Sequence, residues 1–168
     1  MTNQPRIYRF LLRLCADSDT ATELTQETLT RAWQRRSQLN NPDAMTTWLF
    51  RIAHNRFREH IRAQDQQRKL GWEPLEENSI AGKLATPEKL TSDQETGQQI
   101  WNAMNHLPPR QSQVLHLRII EQLSTDEIAE VLEINAQAVR SNLSAARKRM
   151  RQLLSDTISL PSNPKVIR

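Results

Sequence analysis

The chain has 168 residues, 37% of them hydrophobic and 25% charged, with only three glycines. That length holds one ordinary domain or two small ones, and the scarcity of glycine and of β-branched runs argues against barrels, sandwiches and glycine-rich nucleotide folds. The net charge of +4 is unevenly spread: residues 1–70 carry 12 Lys and Arg against 7 Asp and Glu, residues 71–99 carry 2 against 6, and residues 100–168 carry 9 against 6.

Ile7, Phe10, Leu11 and Leu14 recur at helical spacing and predict a first helix over about Arg6 to Ala16. Thr20 followed by Glu23 reads as a capping box, and no Pro or Gly intervenes before Pro42, which predicts a second helix from about Ala21 to Ser37. Asn40-Asn41-Pro42-Asp43 is a loop and restart signal. A long helix then follows over Ala44 to Arg68. Residues 70–92 hold Gly71, Pro74, Gly82 and Pro87 with little periodicity and read as a linker. A fourth helix, with Ile100, Trp101 and Met104 on its apolar face, ends near His106. Leu107-Pro108-Pro109 marks a boundary, and a fifth helix runs through Val114, Leu115, Leu117 and Ile119. Ser124 with Glu127 is a second capping box and starts a short helix ending near Leu132. Asn135 caps a last helix to about Leu154, and residues 155–168 form a fraying tail. The expected fold class is all-α, two small helical domains joined by a flexible linker. Two basic blocks around an acidic middle suggest two anion-binding modules on a repelling tether; solvated surface charge gives the same pattern.

Several kinds of chemistry have no support. His54, His60, His106 and His116 form no i,i+4 pair, and zinc needs several convergent N or S ligands, so no metal is expected. There is no Gly-x-Ser-x-Gly, no phosphate-binding loop and no dinucleotide fingerprint, and the acids are dispersed, so neither a cofactor nor an enzyme is expected. Cys15, the single cysteine, excludes an internal disulfide and reads as a small core residue. No segment is apolar enough to span a bilayer and the amino terminus lacks a signal-peptide core, which makes the cytoplasm the expected location.

The strongest local signal runs from Ser124 to Arg151. Two helices meet across a short Leu132-Glu133-Ile134 turn, and Ala129 and Val139 supply the small residue and the β-branched wedge of a helix-turn-helix. Val139, Leu143, Ala146, Met150 and Leu153 form one apolar stripe, with a polar, basic arc beside it. Gln137, Arg140, Ser141 and Ser144 lie in the first turns, where a recognition helix meets base edges. Arg147, Lys148 and Arg151 follow as phosphate contacts. An amphipathic helix with a solvated basic face is the alternative. In the long helix, Met45, Leu49, Ile52 and Ala53 share a face, while Arg51, Asn55, Arg58 and Arg62 form a polar stripe with Trp48 on the border. A basic stripe edged by an aromatic suits unpaired bases; equally, Trp48 is core and the arginines are solvated.

Together these segments resemble the extracytoplasmic-function group of bacterial sigma factors. Ile7-Tyr8-Arg9-Phe10, the stretch from Thr22 to Trp33 and Trp48-Leu49-Phe50-Arg51-Ile52-Ala53-His54-Asn55 look like the family's second region. Leu107-Pro108-Pro109-Arg110-Gln111, Asp126-Glu127-Ile128-Ala129-Glu130 and Ala138-Val139-Arg140-Ser141 look like its fourth. The resemblance implies a second-region domain over 1–69, a linker over 70–92, a fourth-region domain over 93–154 and a tail. It implies a dissociable subunit of RNA polymerase, with Gln26, Glu27, Leu29, Arg31 and Trp33 docking on a coiled coil of the β′ subunit; Trp33 fits buried core equally well. Asn40, Asn41, Trp48, Arg51, Asn55, Arg58 and Arg62 would capture and open the upstream-ten element, and the last helix would read the upstream-thirty-five element as duplex. An anti-sigma protein is a further implied partner. Catalysis would belong to the polymerase.

The sequence also departs from the family pattern. Thr22-Glu23 stands where an acidic pair is usual, Thr25 and Thr30 where apolar residues are favoured, Asn142 and Ala145 where relatives carry basic residues. Glu133 occupies a turn position that usually favours Gly, which predicts a strained turn. Two other readings stay open: a stand-alone helix-turn-helix regulator with an N-terminal sensor or dimerisation domain, and a polymerase-binding adaptor without promoter activity.

Overall fold

The computed structural model describes residues 3–69 and 93–158; the expected linker over 70–92 and the tail beyond Ile158 lie outside the described residues. Seven α-helices, two short 3-10 turns and no strand make up the described chain.

Helix α1 (Gln4–Cys15) starts with Pro5 in its first turn, where a missing N–H costs nothing, and stops at Ala16, whose left-handed backbone (φ 57°) returns its N–H to Leu12. Helix α2 (Ser18–Gln34) begins earlier than the Thr20–Glu23 pattern predicts. The cap is Asp17, whose Oδ2 accepts from Thr20 N at 2.7 Å, so Thr20 is an N3 donor inside the helix rather than its cap. It also ends before the predicted Ser37, giving way to a 3-10 turn over Arg36–Gln38. Asn41 caps a second such turn, Pro42–Ala44, by accepting from Asp43 N, and α3 (Met45–Lys69) follows directly.

Helices α4 (Asp93–Asn105) and α5 (Pro109–Ile119) flank the Leu107-Pro108-Pro109 boundary. The Ser124–Glu127 capping box forms with both of its hydrogen bonds and starts α6 (Thr125–Leu132). Asn135 Oδ1 accepts from Ala138 N at 2.7 Å at the head of α7 (Ala136–Ile158). That helix passes the predicted end at Leu154, since no Pro intervenes before Pro161 to stop it.

Helices α1–α3 and α4–α7 are each packed about an apolar stripe, and the two halves are packed on each other, α1 against α5 and α3 against α6. Phe10 is completely buried, with Phe50 edge-on at 5.2 Å on one side and His116 of α5 at 5.6 Å on the other. The guanidinium of Arg13 lies 3.7 Å over the Trp101 ring, and its Nη1 donates to Asn105 Oδ1 at 3.0 Å. Burial pulls Arg13 down to about 10, so it remains a cation at neutral pH. Arg6 Nε donates to Glu121 Oε2 at 2.7 Å, and His116 Nε2 stands 3.4 Å from the other oxygen of Glu121. Polar side chains thus fasten an otherwise apolar joint between the halves. The expected all-α class with two helical parts is what the described residues form, and the buried residues of the two parts join in one apolar cluster.

Candidate nucleic-acid interface

Helix α3 buries Leu49, Phe50, Ile52 and Ala53, which turns Arg51, Asn55, Arg58 and Arg62 toward the opposite side. Met45, expected on the buried face, is 40% exposed in the first turn of α3, where its sulfur accepts from Asn3 Nδ2 at the head of α1 at 3.8 Å. The stripe borders a groove of about 570 Å³ whose other wall comes from the end of α2. Five arginines line it: Arg31, Arg35, Arg51, Arg58 and Arg62. Trp48, half-buried, and Asn55 complete the floor, so a ring and an amide face the same space as the cations. Such a set offers phosphate contacts, a stacking surface and a hydrogen-bonding edge to an unpaired strand.

Arg35 and Gln38 belong to this groove, although sequence reading gave them no role. Their spacing from Arg31, through the end of α2 and the 3-10 turn after it, is the signal that was available. Asn40 and Asn41 are exposed and do not line the groove; Asn41 instead caps the turn before α3. Two acids enter the groove, Glu59 from α3 itself and Glu133 from the turn after α6.

Helix α7 buries Val139, Leu143, Ala146 and Met150 against α5 and α6. Gln137, Arg140, Ser141, Ser144, Arg147, Lys148 and Arg151 are all exposed, as the periodicity predicts. Arg140, Ser144, Arg147 and Arg151 line a second groove of about 370 Å³, joined by Arg118 of α5 and Thr125 of α6. Among the described residues no acid lines it, so the charges those residues present there are all positive. Gln137 Oε1 accepts from Arg140 Nε at 3.3 Å and Nη2 at 3.1 Å, which orients the guanidinium from within the first turn. Glu133, at the turn between α6 and α7, has φ 53° and ψ 47° and so adopts the left-handed conformation that favours glycine.

The exposed surface of α2 has a different character. Trp33 is 69% exposed, with the Arg36 guanidinium 4.4 Å over its ring, which decides between a surface and a core position. Glu27 is paired with Arg56, Arg56 also with Glu59, and Arg31 meets Glu59 at 3.2 Å. Gln26 is exposed and Leu29 half-buried. Of the two threonines expected at apolar positions, Thr25 is buried with its hydroxyl donating to Ala21 O, while Thr30 is exposed; Thr28 is buried too and donates to Leu24 O.

Residues 1–67 match sigma-70 region 2, and residues 97–150 match sigma-70 region 4. The chain belongs to the sigma-70 family, in its extracytoplasmic-function group. Among its relatives, this sigma-family chain is 31% identical over 150 residues to the ECF RNA polymerase sigma factor SigE of Mycolicibacterium smegmatis, covering 89% of this chain and 58% of that one. It is 28% identical to SigG of Mycobacterium tuberculosis, covering 91% and 48%, so it spans about half the length of these two relatives. It is 27% identical to the RNA polymerase sigma factor SigV of Bacillus subtilis, covering 90% and 87%. Among solved structures it is similar to the sigma factor RpoE of Bartonella quintana, in complex with the anti-sigma factor NepR, with a TM-score of 0.69, 25% identity and coverage of 90% and 91%. Among the described residues no helix is long and apolar enough to cross a membrane.

Proposed function

We propose that the chain binds RNA polymerase core and directs promoter recognition and transcription initiation. The observation that carries this is the pairing of two unlike basic grooves in one chain. The α3 groove sets Trp48 and Asn55 among five arginines, a composition suited to an opened strand. The α7 groove presents Arg140, Ser144, Arg147 and Arg151 from one helix beside Arg118 and Thr125, a composition suited to duplex. An operator-binding regulator needs the second and has no use for the first.

In this reading the α3 groove captures the upstream-ten element, and Asn55 reads the edge of an unstacked base. Unstacking costs a few kcal/mol, which stacking on Trp48 and the arginine contacts offset. Asn40 and Asn41 approach from the loop before α3. Helix α7 reads the upstream-thirty-five element, with Gln137, Arg140, Ser141 and Ser144 toward bases and Arg147, Lys148 and Arg151 toward phosphates. Gln26, Glu27, Leu29, Arg31 and Trp33 dock on the β′ coiled coil, for which the exposed Trp33 ring is the natural anchor. Residues 1–69 and 93–154 are the two working domains, and 70–92 is the tether between them. Bond making belongs to the polymerase, the place of work is the cytoplasm, and an anti-sigma protein masks the same faces.

Reconstituted transcription tests this: the purified chain and bacterial core polymerase on a library of randomised promoters. Run-off products that require both establish the activity, and the enriched promoters give its specificity. Duplex binding without core, and no stimulated transcripts, makes the chain a conventional regulator. Core binding without transcripts makes it an adaptor.

A further inference from the structure

Two of the arginines that line the α3 groove are already engaged in this structure by part of the same chain. Helix α6 packs on α3 with an acidic edge toward it, and Glu133 of the turn that follows enters the groove. Thr47 Oγ1 donates to Glu127 Oε1 at 2.9 Å, Arg51 Nη1 donates to Glu130 Oε1 at 2.8 Å, and Arg58 Nη1 pairs with Glu133. Glu133 lies in the turn beyond α6, and Glu127 and Glu130 within it are three residues apart, a rise of about 4.5 Å along the helix. That is of the same order as the roughly 3.4 Å rise per nucleotide of a stacked strand.

We propose that this acidic edge, chiefly Glu130 and Glu133, is an internal stand-in for a nucleic-acid strand, seated on the arginines of the α3 groove and displaced when DNA phosphates enter. The inference rests on the reading of that groove as a strand site. Three features support it. The two guanidiniums engaged, Arg51 and Arg58, are those that a strand would need, so occupancy by Glu130 and Glu133 excludes occupancy by DNA. Next, the paired side chains are all between 38% and 53% exposed, which leaves the pairs screened by water and weak enough to exchange. Finally, Glu133 holds a left-handed backbone that Gly would adopt without strain. A glycine there would relax the turn but leave Arg58 without its carboxylate. The neighbouring Arg58 and Asn55 also hold the Glu133 carboxyl below the usual range, so it stays anionic at neutral pH. Glu127 has a second duty in the capping box and is not a useful site for a test.

The full chain, without polymerase, is titrated against a short fluorescein-labelled single-stranded DNA of mixed sequence and read by anisotropy. The double variant E130Q/E133Q keeps shape and removes the two charges. It should bind about tenfold tighter than the parent, which is ~1.4 kcal/mol by RT ln 10. Adding R58Q should remove that gain. The control D19N/E23Q removes two charges from exposed positions of α2 and should change affinity less than about twofold, as expected for distant screened charges. Equal affinity of E130Q/E133Q and the parent overturns the inference, as does an equal gain in the control. Run-off transcription with core, measured on the same preparations, separates the two levels of failure. If the parent transcribes while E130Q/E133Q shows no gain, only the inference falls. If the parent neither transcribes nor binds the strand, the functional reading falls with it.

Discussion

Replacing Arg6 with Met tests how the two halves are held together. Glu121 has a side chain only 1% exposed, and its partners are Arg6 at 2.7 Å and His116 at 3.4 Å. His116 is completely buried, and burial favours its neutral form, with Arg13 and Arg9 adding to that push and Glu121 opposing it. Arg6 is therefore the cation that neutralises the carboxylate. Removing it leaves the buried carboxylate with only the neutral His116 ring beside it, which costs about 3 kcal/mol. For a chain of this size that lowers Tm by roughly 6–12 °C. The pH dependence sharpens the test. In the parent, burial pushes the Glu121 carboxyl up, but His116 and Arg6 outweigh it and hold the group below its ordinary value. The stability this supplies is present above the unfolded-state pKa of about 4.3 and is lost as pH falls through the folded value. In R6M burial dominates instead, the carboxyl rises, and proton uptake relieves the penalty. The Tm difference between parent and R6M should therefore shrink as the pH of the melting buffer falls below about 5. The double variant R6M/E121M should recover most of the loss, since an apolar pair at this site leaves no stranded charge. A loss under about 1 kcal/mol for R6M at neutral pH, or a Tm difference that does not change with pH, would refute this account.

Other outcomes are expected at separate sites. His54 is buried under α6; burial, with Arg110 and Arg58 adding and Glu133 opposing, pulls it down to about 4. The folded chain then resists a proton that the unfolded chain accepts below about 6.5, so unfolding free energy falls by roughly 2–3 kcal/mol between pH 6.5 and 4. Urea titrations of H54Q should lack that part of the slope. W33A should leave unfolding within about 0.5 kcal/mol of the parent, because the ring is exposed, while core-polymerase affinity drops at least about tenfold. On selected duplex sites R140A should relax preference at one base position at a cost of about 1–3 kcal/mol, whereas K148A should weaken all sequences alike and reduce the salt slope by about 1.

Local signals in the sequence carried as far as local interactions do. The Ser124–Glu127 box and the Asn135 cap are built from side chains three residues apart, so spacing alone reveals them. Asp17 and Thr20 compete for one helix start, and the choice turns on which backbone N–H each can reach, a matter of a single turn. The exposed arc of α7 was legible because its buried stripe is regular. The cover over α3 was not. Arg51 and Arg58 look free in their own helix, and Glu130 and Glu133 look free in theirs; only the docking of α3 on α6 joins them. His116 gave no sign of burial either, since its ring neighbours Phe10 and Trp101 come from other helices.

The position of Phe10 also sets an order of events during synthesis. One of its ring neighbours, Phe50, leaves the ribosome within the first half of the chain, while the other, His116, follows 66 residues later. At bacterial elongation rates that is a delay of several seconds, far longer than helices take to form. The nascent first half therefore waits with an uncovered aromatic face, and a chaperone that shields such surfaces has its opening in that interval, before α5 arrives to close it.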